Sequence, residues 1–305
     1  MKLRIPNIFH FIFGLKPQTE PFHLVFYLCL ESCLQVNKPE KLFFYYHYEP
    51  YGKYWDLIKN KITLVKVELS SFLQGYEYKD KLVAKYSYAH LADIIRLEKL
   101  IEFGGVYADI DTIFVNKIPE KLFEKKFVLG KENDFYVKEL GISKASLCNA
   151  LIMSEAGSEF CQIWLKTMPS VFDGSWSTHS CQLAADLQMK HPDLIHVEPS
   201  RSFYKHAYTK QGLKSLLNEC DRDFEDVFSI HLWNHLWWEK YRFDFSLMHE
   251  GRFTENYINY VDTTYNVIAR KFLPEQSATK AVLKPIYKLR QIFDSKIAWL
   301  HNLSQ

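Results

Sequence analysis

Apolar positions along the chain switch between two spacings, and the switches predict the elements. Ile5 to Phe13 is a dense apolar run closed by Gly14, which predicts a strand. From about Pro21 to Val36 the spacing turns helical, and Leu42 to Tyr48 returns to a strand. Tyr51 to Asn60 is then expected as a helix and Ile62 to Val67 as a strand. Leu82 to Phe103 carries the strongest helical signal. There Leu91, Ile94, Ile95, Leu97, Leu100 and Ile101 recur at three- and four-residue steps, and Gly104 supplies the stop. Further strands are expected at Thr112 to Val115, Phe127 to Leu129, Ala150 to Ser154 and Leu194 to Val197. Strands alternating with helices predict an α/β fold, a Rossmann-type, mainly parallel sheet flanked by helices. Such sheets bind ligands beyond the carboxyl ends of their strands, so Gly14 marks an expected binding edge.

The helix ending at Phe103 runs straight into Gly104-Gly105-Val106-Tyr107-Ala108-Asp109-Ile110-Asp111. Two carboxylates two residues apart, after a tight glycine turn, make a hard-cation site with positions left open for phosphate. An ion held there can neutralise a diphosphate leaving group, the chemistry of sugar transfer from a nucleotide sugar. An Asp-x-Asp triplet alone arises easily by chance in a chain of this length. Asp221-Arg222-Asp223 is such a second triplet; no glycine turn or apolar helix precedes it, and its acidic surroundings read as a solvated loop. Asp93 and Arg96 are three apart and project from one side of the long helix, as a surface ion pair or as part of the same site.

Composition narrows the picture. The chain has 305 residues and is 48% hydrophobic and 24% charged, enough for one large domain or two small ones. A net charge of +2 argues against a nucleic-acid partner held by bulk electrostatics. Pro6, Asn7 and His10 interrupt any signal-peptide core, and the longest apolar run, Leu24 to Leu30, is far short of the ~20 residues that span a bilayer. The expectation is a cytoplasmic protein, or one peripheral to the inner face of a membrane, with reduced thiols. Cys29 and Cys33 read as buried thiols. In Phe228 to Tyr241, His231 and His235 are four apart and would share a helix face like a zinc pair, but a third ligand is missing; the segment reads as aromatic packing or as a second wall of the donor site. Val282, Ile286, Leu289, Phe293, Ile297 and Leu300 line one side of the tail, flanked by Lys280, Lys284, Lys288, Arg290 and Lys296. That stretch is expected as a basic amphipathic helix, either packed on protein or resting on an anionic membrane surface through residues 280–300. The domains are expected as 1–265 for the α/β body and 266–305 for the tail.

Three segments resemble the Asp-x-Asp sugar-binding transferases of glycosyltransferase family 32. This group includes yeast initiating mannosyltransferases, bacterial capsule and lipopolysaccharide transferases, and clostridial glucosylating toxin domains. IPNIFHFIFG is similar to the family's opening strand, AHLADIIRLEKLIEFGGVYADIDT to its core, and HLWNHLW to its late His-x-Trp segment. The resemblance implies a GT-A fold and a retaining hexosyltransferase that uses Mn²⁺ or Mg²⁺. It takes a nucleotide-diphosphate sugar, UDP-linked in preference to GDP-mannose, and a glycan or lipid-linked glycan acceptor, as in polysaccharide biosynthesis. Carried over, Phe13 and Gly14 stand at the base, Phe13 in the place of a stacking Trp, and Asp93 and Arg96 hold donor hydroxyls and phosphate. Tyr107 lines the sugar pocket and Asn149 stands near the transferred sugar. Asp109 faces ribose or reaches the metal through water, and Asp111 binds the metal directly, so Asp93, Arg96 and Asp111 carry catalysis.

The chain also departs from the family. Leu236 stands where relatives often have Ser, which leaves His231 or Asn234 to complete the metal site and Trp237 to donate its indole N–H to the β-phosphate. Trp176 to Leu187 lacks the small Gly-Pro pattern of many relatives and is expected to set acceptor choice. Two other readings stay open: a haloacid-dehalogenase-type Asp-x-Asp phosphatase, disfavoured because Ile113 holds the later Thr or Val position, and a non-catalytic sugar-nucleotide-binding module.

Overall fold

The structure, a computed structural model, describes residues 3–69, 87–132, 134–137, 141–237 and 252–274. Strands β1 (Ile8–Ile12), β2 (Lys41–Tyr46) and β3 (Thr63–Lys66) alternate with helices α1 (Leu24–Asn37) and α2 (Lys53–Ile58). Helix α3 (Ser87–Phe103) leads into β4 (Gly105–Ala108) and β5 (Thr112–Phe114). Then come β6 (Phe127–Lys131), a β7 (Phe135–Val137) and β8 (Ile142–Lys144) hairpin, and β9 (Leu147–Ser154). Helices α4 (Glu159–Val171) and α5 (Leu183–Lys190) precede β10 (His196–Glu198) and β11 (Ser229–His231).

The main sheet has seven strands in the order β10-β6-β9-β4-β1-β2-β3. Every neighbouring pair in it is parallel except those made by β9, which runs against both β4 and β6. The sheet is therefore mainly parallel and flanked by helices, as expected. Side chains alternate between its faces. Phe9, Phe11, Phe44, Val106 and Met153 join the core beneath α1 and α2, whereas Tyr45, Tyr107 and Ile152 join the core beneath α3, α4 and α5. A strand covered on both faces reads as a continuous apolar run, which is why β1 shows no alternation in sequence. Helix α1 is apolar nearly all round for the same reason: Leu24 to Cys33 is buried throughout. Its Cys29 and Cys33 are buried thiols, as the sequence suggested.

The glycine pair is where the sequence reading and the structure first differ. Gly104 does stop α3, its N–H donating to Leu100 O, but the residues after it form β4 rather than a turn. Both glycines have positive φ, +64° and +108°. A Cβ on Gly105 would lie 2.4 Å from Ile8 O, so only glycine lets β4 approach β1. His10 braces the same joint from β1. Its Nε2 lies 2.8 Å from Gly104 O and its Nδ1 3.0 Å from Tyr45 Oη, and burial lowers its pKa to about 4.

Past residue 265 the chain still packs on the body: Ile268, Ala269 and Phe272 are buried in the core on the α1 side. The amphipathic stretch expected over 280–300 lies outside the described residues. Among the described residues, no helix is long and apolar enough to cross a membrane.

Candidate active site

Strands β1 and β4 are neighbours, and the order of the sheet diverges from them in both directions. Beyond their carboxyl ends opens a cleft of about 530 Å³. Phe13 and Gly14 follow β1 into it and Asp109 to Asp111 follow β4, the placement expected at such a switch point. Phe13 packs edge-on against Phe22, 5.4 Å between centroids, and 5.0 Å from Phe26. Gly14 has φ +77° and a Cβ there would meet Tyr48 O at 2.3 Å, so the wall beside Phe13 is bare backbone.

The triplet sits in a one-turn loop closed by Thr112 N–H donating to Asp109 O at 2.9 Å. Strand β5 then pairs antiparallel with β11, placing Thr112 opposite His231. That pairing carries the late histidine segment onto the triplet. His231 Nε2 lies 3.1 Å from Asp111 Oδ1 and 3.7 Å from Asp109 Oδ2. The Asn234 backbone N–H donates to Asp111 Oδ2 at 2.8 Å. Asp109, Asp111 and His231 each offer a ligand atom, all within 4.8 Å of one another. Burial would raise the Asp111 pKa, but His231 and the Asn234 N–H outweigh it and hold it below the usual carboxylate range. Burial dominates at Asp109, whose pKa is raised despite Arg96 and His231. His231 is raised by Asp111 and Asp109 against the opposing effect of burial.

A second cluster backs the first. Asp93 and Arg96 form an ion pair of 3.0 Å, and both are buried, so this is no surface pair. Asp93 Oδ1 also accepts from Asn149 Nδ2 at 2.7 Å, and its Oδ2 lies 3.0 Å from His179 Nε2. Burial acts to raise the Asp93 pKa, yet Arg96 and His179 together hold it low. The Arg96 guanidinium lies 4.4 Å above the Tyr107 ring, and Tyr107 donates to Asp109 Oδ1 at 2.5 Å. Arg96 reaches Asp109 Oδ1 at 3.5 Å and donates to Asn149 O at 2.7 Å and Ala92 O at 3.1 Å. With most of its N–H groups engaged by protein, Arg96 fits a brace for Asp93 and Asp109 better than an open phosphate fork.

Phe13, Gly14, Asp93, Arg96, Tyr107, Asp109, Asp111, Asn149, His231 and Asn234 thus all line one cleft. Trp237 does not. Its ring is fully buried against Phe253, and its indole N–H donates to Leu232 O at 2.6 Å, so it cannot also serve a phosphate. Trp233, with φ +56°, lines the cleft in its stead, its indole N–H given to His206 O at 2.8 Å. Nor do His231 and His235 share a helix face: His231 ends β11, and His235 lies in the short helix Asn234–Trp237 with its ring stacked on Trp176. Asp221 and Asp223 lie outside the cleft, paired with Lys205 and Arg201. Sequence reasoning missed His179 and Glu132. Glu132 lines the cleft, accepts from Ser146 Oγ at 2.6 Å and has a pKa raised by burial. Neither residue sits in a motif that could have flagged it.

The donor set fits a divalent ion. Two carboxylates and one imidazole converge, and buried atoms remain over: Asn234 Oδ1 and Nδ2 find no hydrogen-bond partner among the described residues, although the residue lines the cleft. Buried polar atoms of this kind call for a ligand.

Residues 31–129 match the family described as a glycosyltransferase sugar-binding region containing a DXD motif. The chain carries a DXD glycosyltransferase region. That region runs from α1 to β6, so it takes in α3, the glycine pair and the triplet, and leaves out β1 and β11. Over 241 residues the chain is 30% identical to glucan organizing enzyme 1 of Cryptococcus neoformans var. grubii, across 76% of this chain and 63% of that protein. It therefore spans less than two thirds of that relative's length. Two solved structures are similar more loosely. The galactosyltransferase LgtC, in complex with donor and acceptor sugar analogues, is 12% identical at a TM-score of 0.47, over 88% of this chain and 98% of that one. The PaToxG glycosyltransferase is 19% identical at 0.43, over 62% and 70%. Such scores are too low to transfer roles by superposition, and the roles of the DXD region's residues rest on the geometry above.

Proposed function

We propose that this chain transfers a hexosyl group from a nucleotide-diphosphate sugar, a UDP-sugar in preference to GDP-mannose, to a glycan acceptor. The observation that carries this is the convergence of Asp109, Asp111 and His231 beneath a cleft, within a DXD sugar-transferase region. The region's family sets aside the phosphatase reading. An imidazole beside two carboxylates suits Mn²⁺ better than Mg²⁺, which prefers oxygen alone. When bound, the ion would neutralise the departing diphosphate. Asp111, held ionised by His231 and the Asn234 N–H, would be its chief ligand, and Asn234 would offer an amide oxygen beside it. Phe13 and the Gly14 backbone receive the base. Asp93, steered by Arg96, Asn149 and His179, accepts hydroxyls of the transferred sugar.

Transfer proceeds with retention by front-face departure and attack, the leaving phosphate taking the acceptor's proton. The bracing of three cleft carboxylates supports this. Asp93, Asp109 and Asp111 are each tied to a cation or an N–H, which favours electrostatic over nucleophilic work. The relative's name makes a glucan the first acceptor to try. The test is release of UDP from a panel of UDP-sugars, with and without Mn²⁺, by wild type and Asp111→Asn. Metal-dependent release lost in the variant is expected. Equal release in excess chelator, or by the variant, refutes the proposal.

A further inference from the structure

Of the large apolar side chains lining the cleft, among the described residues, Trp176 is the one strongly exposed, at 47%. It sits between α4 and α5, where the chain turns at Gly174 with φ +80°. The loop is tied together by its own side chains. Asp173 Oδ1 accepts from the Ser175 N–H at 2.8 Å, Ser175 Oγ donates to Thr178 Oγ1 at 2.6 Å, and Thr178 Oγ1 donates to Asp173 Oδ2 at 3.2 Å. Across the cleft mouth the His235 ring stacks on the indole, centroids 5.2 Å apart and planes at 28°. Both rings are wired to the floor of the site. His235 follows Asn234, whose N–H holds Asp111, and Trp176 lies three residues before His179, which holds Asp93.

We infer that the Trp176–His235 pair is the acceptor subsite, a platform for one pyranose ring of a neutral glycan. This rests on the transferase reading above and names the second substrate's place in it. A pyranose presents a face of C–H groups, weakly positive, to which the negative face of an indole is complementary. Its hydroxyls lie around the rim, where Ser180 and the polar edge of His235 line the same cleft. A protein partner would instead need a broad apolar patch, and among the described residues lining the cleft Trp176 is the one strongly exposed indole. The donor does not need this wall, because Phe13 and Gly14 provide one for the base at the end of β1. A rigid aromatic on a pre-shaped loop also loses little entropy when a sugar settles on it. The Trp176 to Leu187 region was expected from sequence to set acceptor choice, and Trp176 is its exposed anchor.

The experiment reads binding without turnover. Wild type, Trp176→Ala and Trp176→Phe are titrated by saturation-transfer NMR with laminaripentaose, maltopentaose and mannopentaose, and separately with UDP plus Mn²⁺. At least one oligosaccharide should bind wild type, bind Trp176→Ala roughly ten-fold more weakly, and be largely restored in Trp176→Phe. UDP affinity should be the same in all three proteins. The inference is overturned if no oligosaccharide binds wild type, if Trp176→Ala binds it equally well, or if UDP affinity falls with it, which would assign the indole to the donor. Oligosaccharide binding that depends on Trp176 in a protein releasing no UDP from any UDP-sugar would refute the transferase reading and leave the glycan platform standing.

Discussion

Replacing Arg96 by Met should destabilise the folded protein as well as impair it, and the size of the loss follows from what the guanidinium touches. It is buried between Asp93 at 3.0 Å and Asp109 at 3.5 Å and also donates to the Asn149 and Ala92 carbonyls. Met retains much of the volume over the Tyr107 ring but none of the charge. The buried Asp93 and the half-buried Asp109 would then keep, among the described residues, His179, His231, Tyr107 and Asn149 as partners. Removing one member of a buried ion pair costs about 3–5 kcal/mol, most of it the penalty of the charge left behind. With a urea dependence of about 3 kcal/mol per M, the unfolding midpoint should fall by about 1–1.7 M. The loss should also depend on pH with a definite sign. In wild type the Asp93 pKa is lower folded than unfolded, so its stabilisation is present above the unfolded value and is lost as pH falls through the folded one. In Arg96→Met burial would raise that pKa, so the deficit should be largest near pH ~7 and shrink toward pH ~5. Adding Asp93→Asn should recover part of the loss. A midpoint within about 0.3 M of wild type near pH ~7 would show that Arg96 is not a brace, because roughly 1 kcal/mol is what an exposed pair contributes.

Further outcomes follow from the same geometry. Asp111→Asn should keep its fold but lose the Mn²⁺-dependent rise in melting temperature with UDP, about 3 kcal/mol at a hundred-fold excess over Kd; an unchanged shift would remove Asp111 from the metal site. Metal affinity should weaken as pH falls from about 7.5 to 6, since His231 must lose a proton to ligate and its carboxylate neighbours raise its pKa, and His231→Asn should flatten that dependence in calorimetry. Gly105→Ala should destabilise by at least about 2 kcal/mol, through φ +108° and a Cβ 2.4 Å from Ile8 O, and a melting temperature equal to wild type would contradict the β1–β4 packing. The full chain should co-sediment with anionic vesicles and a chain ending at Pro274 should not, whereas two soluble forms would leave the 280–300 stretch a packing element.

How much could be read from sequence depended on how local each signal was. Helix α3, its glycine stop and Asp109 and Asp111 lie in one run, so their spacing already implied a cation site beside a helix. The flanking strands β1, β2 and β3 were legible because each is a compact apolar run between turn residues. Strand β4 was not. Gly105-Val106-Tyr107-Ala108 is short and opens with a residue that disfavours strands; it pairs only because β1 and β9 flank it and Gly105 admits a close approach. The segment Ser229–His231 looked helical because His231 and His235 are four apart, yet pairing with β5 overrides that spacing. Trp237 failed as a donor contact for a related reason. Sequence could mark it as amphipathic, but only the turn at Trp233, with φ +56°, decides which indole faces the cleft. His179 was invisible, since it reaches Asp93 across 86 residues.

The two carboxylates of the triplet are alike in sequence and unlike in the fold, and the difference locates the site within the molecule. Asp109 belongs to the side of the sheet built on α3: it is bound by Tyr107 and approached by Arg96, and Tyr107 packs in the core beneath that helix. Asp111 belongs to the other side: it is held by His231 and Asn234, and the neighbouring Ile113 and Ile230 pack in the core that contains α1. A cation shared by both carboxylates would therefore join the two cores of the domain at the cleft. Like charges at such close range favour an ion between them, and His231 balances only part of that charge. A mobile interior could not hold these groups in register, and their bracing reflects this. His10 pins Gly104 from β1, His179 pins Asp93 from the Trp176 loop, and the Asn234 N–H pins Asp111 from beyond β11. Each brace comes from a different element, so the candidate site is assembled only when the sheet, both helix layers and the β5–β11 pair are all in place.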